Sequence, residues 1–125
     1  MTADRTSKLI AIIDDDEAMQ DSLHDLMEAA GLVAQCFGSA DKFLESDLRT
    51  RFACLIVDIR MPKMSGLELQ TRLKEEECDI PIIFITAHGD ARMRIRAMRE
   101  GAVEFFSKPF DHRLLLKAVR DALEM

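Results

Sequence analysis

With 125 residues, 48% of them hydrophobic and 32% charged, the chain has the balance of one globular domain large enough to bury a core without staples. Its net charge of −6, from 17 Lys and Arg against 23 Asp and Glu, excludes a module that grips nucleic acid through phosphate contacts. Apolar runs reach about five residues, against the roughly 20 that a membrane span needs. The N-terminal MTADRTSKL has no apolar signal-peptide core, so a cytoplasmic location is expected. Cys36, Cys54 and Cys78, odd in number and without CxxC spacing, are expected to be buried, reduced thiols.

Apolar runs alternate with helical patterns along the chain. LIAIID (Leu9 to Asp14) reads as a fully buried strand. EAMQDSLHDLMEAAG follows as a helix with Met19, Leu23, Leu26, Met27 and Ala30 on one face and Gly31 as its stop. LVAQCF (Leu32 to Phe37) is a short strand, after which Ser39 can cap a helix carrying Phe43, Leu44 and Leu48. ACLIVD (Ala53 to Asp58) is a third strand. Pro62 and Gly66 then break the chain before a helix with Leu69 and Leu73 that runs to the acidic cluster Glu75 to Glu77. IPIIFIT (Ile80 to Thr86) is a fourth strand with Pro81 at its start, where a missing N–H is tolerated. A helix from about Asp90 ends at Gly101, AVEFFS (Ala102 to Ser107) is a fifth strand, and Asp111 can cap a last helix with Leu115, Ala118, Val119 and Ala122 inward. Five near-continuously apolar strands alternating with five helices predict an α/β fold, a parallel sheet covered on both faces.

The polar residues that close these strands carry the functional argument. LIAIIDDD ends an apolar run in three carboxylates, Asp14, Asp15 and Asp16. Two carboxylates ~5 Å apart at an effective dielectric of ~20 repel by roughly 3 kcal/mol, so something must offset the cost. The third strand ends in Asp58, the fourth in Thr86 and the fifth in Lys108-Pro109. In a sheet of this kind ligands bind beyond the carboxyl ends of the strands. Each residue has an ordinary explanation: Asp16 or Glu17 as a helix cap, Lys108 as a solvated loop residue, Thr86 as a good strand former. Their coincidence on one edge does not. Clustered carboxylates suit a hard cation, Mg²⁺ or Mn²⁺. Lys108 and Thr86 add an ammonium and a hydroxyl aimed at an anion, which together describe a site for a phosphoryl group. Asp58, alone on the central strand, is the candidate nucleophile.

The motifs IIDDDEAM, LIVDIRMPKMSG, IFITAHGD and FFSKPF, in that order, resemble the response-regulator receiver domains of bacterial two-component signalling. The likeness runs from Leu9 to Leu123 and leaves residues 1–8 as an N-terminal extension of a single receiver domain. It implies a doubly wound, flavodoxin-like sheet of order 2-1-3-4-5. It also implies that Asp58 accepts a phosphoryl group from a sensor histidine kinase, in a Mg²⁺-dependent reaction. Asp14 and Asp15 would hold the metal with Asp58 and the Arg60 backbone carbonyl. Lys108 would pair with the phosphoryl oxygens, and its bond to Pro109 would be cis. Thr86 would move toward the phosphoryl group and Phe105 would swing inward behind it, repacking the surface of the fourth helix, fifth strand and fifth helix. Through that surface such receivers commonly form homodimers or dock partners.

Further details refine the expectation. Arg92, Arg96 and Arg99 recur at helical spacing on the fourth helix, with Arg94 nearby and the apolar line Ala91, Ile95 and Met98 beside them. They form either a solvated face or a basic one that meets acidic groups such as Glu104, Asp121 and Glu124 of a mate. Arg60 and His88 stand two residues beyond Asp58 and Thr86, where the family sets the lifetime of the phosphoryl group. His24 and His112 read as ordinary helix residues. MPKMSGLEL and FITAHGD are most similar to the FixJ-like subfamily, whose receivers usually precede a LuxR-type DNA-binding domain. The preferred expectation is therefore transcriptional output through a domain absent from this chain, with no nucleic acid bound by the receiver itself; the alternative is a stand-alone receiver. A haloacid-dehalogenase-type phosphatase would need an Asp where Arg60 stands, and a nucleotide switch would need a GK[ST] loop, so turnover of external substrates is not expected.

Overall fold

The computed structural model describes residues 8–47, 49–87 and 90–125. The segment MTADRTS, Leu48 of the second helix's expected apolar face, and His88 lie outside the described residues. Five strands, β1 (Leu9–Ile13), β2 (Val33–Phe37), β3 (Phe52–Asp58), β4 (Ile82–Thr86) and β5 (Glu104–Ser107), alternate with five helices. These are α1 (Glu17–Ala29), α2 (Ala40–Glu45), α3 (Gly66–Glu75), α4 (Ala91–Arg99) and α5 (His112–Ala122), with a 3₁₀ turn at Arg49–Arg51. All strand pairings are parallel and the order is β2-β1-β3-β4-β5, as the resemblance implied.

Alternation along the strands builds two cores. One face of the sheet offers Ile13, Leu55, Val57 and Phe84 to Phe43 of α2, Leu69 and Leu73 of α3, and Ala97 of α4. The other offers Ile10, Ile12, Ile56, Ile83 and Ile85 to Leu23 and Met27 of α1 and Leu115 and Val119 of α5. Because β1, β3 and β4 are covered on both faces, they read in the sequence as continuous apolar runs rather than alternating ones. At the β2 end, Phe37, Phe43 and Phe52 meet with ring centroids 5.5 to 5.7 Å apart.

Parallel strands with helical crossovers bring every strand's carboxyl end, and every following helix's start, to one edge of the sheet. Each start is closed by its own side chain: Asp16, Ser39, Ser65, Asp90 and Asp111 accept from backbone N–H groups of the first turn. Asp16, not Glu17, is therefore the first cap. Ser65 and Glu68 close a reciprocal capping box. At the opposite end of α1, Gly31 leaves the helix at φ +79°, a conformation that costs a residue without Cβ little.

The far end of α4 is fastened to α3. Gln70, 4% exposed, donates to the Ala97 carbonyl at 3.0 Å, and Lys74 pairs with Glu100 at 3.2 Å.

Several boundaries differ from expectation. Ile80 and Pro81 precede β4, although the Pro81 carbonyl accepts from Leu55 N–H. Ala102 and Val103 precede β5, and α3 ends at Glu75, with Glu77 at φ 59°. Only Cys54 of the three thiols is fully buried, which pushes its pKa up to about 12; Cys36 and Cys78 are half-buried.

Candidate functional site

Three strand ends and the turns after them form the site. β1 delivers Asp14, whose N–H donates to the Phe37 carbonyl and whose own carbonyl accepts from Gln20 Nε2 at 2.7 Å. The Asp14 carboxylate, 2% exposed, accepts from Asp16 N–H at 2.9 Å, and Asp15 beside it is exposed. β3 delivers Asp58, 8% exposed, which accepts from Arg60 N–H at 3.3 Å. Register sets the offsets: Asp58 lies opposite Ile85 and Thr86 opposite Ser107, so Thr86 ends β4 one residue beyond the level of Asp58.

Asp14, Asp15 and Asp58 each bring a carboxylate oxygen within 4.8 Å of the others. Burial pushes the Asp14 carboxyl up to about 6; the Asp16 N–H and Lys108 oppose the rise, and Asp58 and Asp15 add to it. Asp58 is raised for the same first reason, with Lys108 and the Arg60 and Ile59 N–H groups opposing and Asp15 adding. Lys108 Nζ stands 3.9 Å from Asp14 Oδ2, an ion-pair distance rather than a hydrogen bond. Its backbone N–H donates to the Thr86 carbonyl at 2.9 Å, and the Lys108–Pro109 bond is cis. The Thr86 hydroxyl is buried without a hydrogen-bond partner among the described residues. An unpaired buried hydroxyl costs about 1–3 kcal/mol, so this donor is held in reserve at the edge where the carboxylates meet.

Such an arrangement can hold a small hard cation between carboxylates and receive an anion against an ammonium and a hydroxyl. The buried, mutually repelling carboxylates of Asp14 and Asp58 fit that cation, since burial pushes both toward the neutral form and Lys108 offsets this only in part.

Two supporting residues escaped the sequence reading. Gln20 fixes the Asp14 carbonyl. Gly66 opens α3 directly beneath the acceptor strand: a Cβ there would stand 2.6 Å from the Asp58 carbonyl oxygen and 2.9 Å from Ile59 Cα. The Gly66 N–H meanwhile donates to the Ile59 carbonyl at 2.8 Å. The sequence signal was a lone Gly after a turn, which says nothing about what it touches. A second trio of metal-ligating side chains, His24, Asp25 and Glu28, sits on the outer face of α1, but it comes from successive turns of one helix and lacks buried carboxylates.

Residues 10–120 match the family described as the response regulator receiver domain. The chain belongs to that family. It is 49% identical over 123 residues to the response regulator protein TodT of Pseudomonas putida, covering 98% of this chain and 54% of that protein. To the transcriptional regulatory protein FixJ of Bradyrhizobium diazoefficiens it is 40% identical over 114 residues, covering 91% and 56%. The crystal structure of FixJ-N superposes with a TM-score of 0.83 at 36% identity, covering 93% of both chains. This receiver is thus FixJ-like, and it spans about half the length of the curated relatives it matches. No helix among its described residues is long and apolar enough to cross a membrane.

Proposed function

We propose that this receiver accepts a phosphoryl group on Asp58 from the phosphohistidine of a sensor histidine kinase. A carboxylate oxygen of Asp58 attacks phosphorus, the O–P bond forms as the P–N bond breaks, and the leaving imidazole takes up a proton. The observation that carries this reading is the convergence of three carboxylates within 4.8 Å, with Lys108 beside them and the unpaired Thr86 hydroxyl at the same edge. Asp14, Asp15, Asp58 and the Arg60 carbonyl would hold Mg²⁺ or Mn²⁺, which would supply positive charge to offset the negative charge of the acceptor carboxylate and the phosphoryl group. Lys108 pairs with those oxygens. Thr86 turns its hydroxyl to them, gaining the partner it lacks, and this differential contact is what allows phosphorylation to shift the β4–α4 segment.

Intact-mass measurement after incubation with acetyl phosphate and Mg²⁺ tests the reading. One added phosphoryl group is expected, absent from Asp58→Asn and absent when EDTA precedes the donor. A mass that stays unchanged, in protein that also takes up no beryllofluoride in the presence of Mg²⁺, would overturn it.

We infer further that output is transcriptional, through a DNA-binding domain outside this chain, by likeness to longer relatives named as transcriptional regulators. Phosphorylation would drive homodimerisation through α4, β5 and α5, where Ile95 and Leu114 are each 55% exposed. Size exclusion of phosphorylated against unphosphorylated protein decides this.

A further inference from the structure

Arg94 is exposed like Arg92, Arg96 and Arg99, but its contacts differ from theirs. Its guanidinium reaches from α4 to the edge strand β5, where Nη1 donates to the Phe105 carbonyl at 3.2 Å. The same guanidinium lies over the Phe105 ring, 5.9 Å from its centre. The ring is 4% exposed and packs in the cluster that holds Phe84 and Ala97. Phe105 lies opposite Phe84 in the ladder, and Thr86 follows two residues on. Side chains alternate along a strand, so Phe84, Thr86 and Phe105 share the sheet face that α4 covers. One side chain thus grips both the ring and the backbone of the same residue. A cation over an aromatic face is drawn by the ring quadrupole, and a charged donor strengthens the bond to the carbonyl.

We propose that Arg94 is a positioning residue of this receiver: it latches Phe105 in its buried rotamer and ties α4 to β5, so that helix and ring move together. The contact stands on its own geometry; its consequence for signalling rests on the reading given above. Where a phosphoryl group at Asp58 favours the buried ring, whatever stabilises that ring strengthens phosphoryl-analogue binding by at most the same factor. Arg94→Met keeps length and apolar bulk while removing both grips. Arg94→Lys keeps the charge but loses the planar fork.

The test uses the chain labelled with 4-fluorophenylalanine at its seven Phe positions. The Phe105 resonance is the one lost in Phe105→Leu, and fluorine NMR follows it without any phosphodonor. In Arg94→Met this resonance is expected to shift toward the exposed range or to broaden, with the Phe37, Phe43 and Phe52 resonances unchanged and Arg94→Lys in between. Beryllofluoride binding by the same proteins should weaken about two- to fivefold in Arg94→Met, the range an exposed cation–π contact supplies, and by less in a Phe105→Leu background. An unmoved Phe105 resonance overturns the latch. A shifted resonance with unchanged beryllofluoride affinity overturns its coupling to the site. Wild-type protein that takes no beryllofluoride overturns the receiver reading instead, and the resonance alone then decides the latch.

Discussion

Single residues at the site are legible to different degrees, and the reason is physical. Asp14, Asp58, Thr86 and Lys108 could be found because each closes a strand, and strand ends share an edge in any parallel sheet. Gln20 and Gly66 could not, because their roles exist only through contacts the chain's order does not announce. Gly66→Ala is expected to destabilise by about 1–3 kcal/mol despite better helix propensity, since the new methyl group meets backbone atoms that cannot turn aside; urea unfolding measures this. Asp14→Asn should stabilise the metal-free protein by about 1–3 kcal/mol, because it removes a buried charge and with it the repulsion from Asp58, and should abolish the rise in melting temperature that Mg²⁺ gives the parent. Acidity acts on the same group. The folded pKa of Asp14 lies near 6, above its ordinary 3.8, so the folded state binds its proton first as pH falls. This residue's contribution to metal-free stability therefore grows as pH drops from above 6 toward 4, while Mg²⁺ stabilisation fades through the same window because protons compete with the cation. Thermal scans with Mg²⁺ and with EDTA across pH 4 to 8 compare the two.

Elements were clearest where burial is two-sided. β1, β3 and β4 stood out as apolar runs, and the edge strand β5 began two residues later than expected because Ala102 and Val103 are apolar without being strand residues. Ile80 and Pro81 misled in the same way: apolarity alone does not make a strand, which requires a ladder, and that of β4 begins at Ile82. The caps Ser39 and Asp111 were readable because each precedes a periodic stretch, whereas the Ser65 cap, set between Pro62 and Gly66, was not read. The Ser65–Glu68 box starts the helix that carries Gly66, so Ser65→Ala should cost about 1 kcal/mol, seen as a lower denaturant midpoint with an unchanged slope.

For the whole molecule, the strand order came from resemblance, whereas the alternation of elements came from pattern. Charge is unevenly spread. The last 35 residues carry eight Lys and Arg against five Asp and Glu, although the chain as a whole is acidic. Much of that positive charge lies on α4, where Arg92, Arg96 and Arg99 are exposed beside Ile95 and Met98. If phosphorylated receivers pair through this surface, basic rows must meet carboxylates of the mate. Arg96→Glu combined with Arg99→Glu is then expected to weaken the dimer about tenfold or more, with less contrast at high salt; sedimentation equilibrium at two ionic strengths reads both effects.

The clasp between α3 and α4 has a mechanical meaning. Gln70 holds the carbonyl of Ala97, and Lys74 holds Glu100, so α4 is pinned at its far end, while Asp90 seals its near end within its own first turn. A rod pinned at one end and sealed at the other does not fray when pushed; it pivots. On that account Ala97 would be a fulcrum, and a small displacement after Thr86 would grow toward Ala91 and Arg92, the part of α4 farthest from the pin, with the Arg94 tie to β5 setting its limit. Removing the pin with Gln70→Leu would turn the lever into a float, leaving the phosphoryl chemistry in place and its message undelivered.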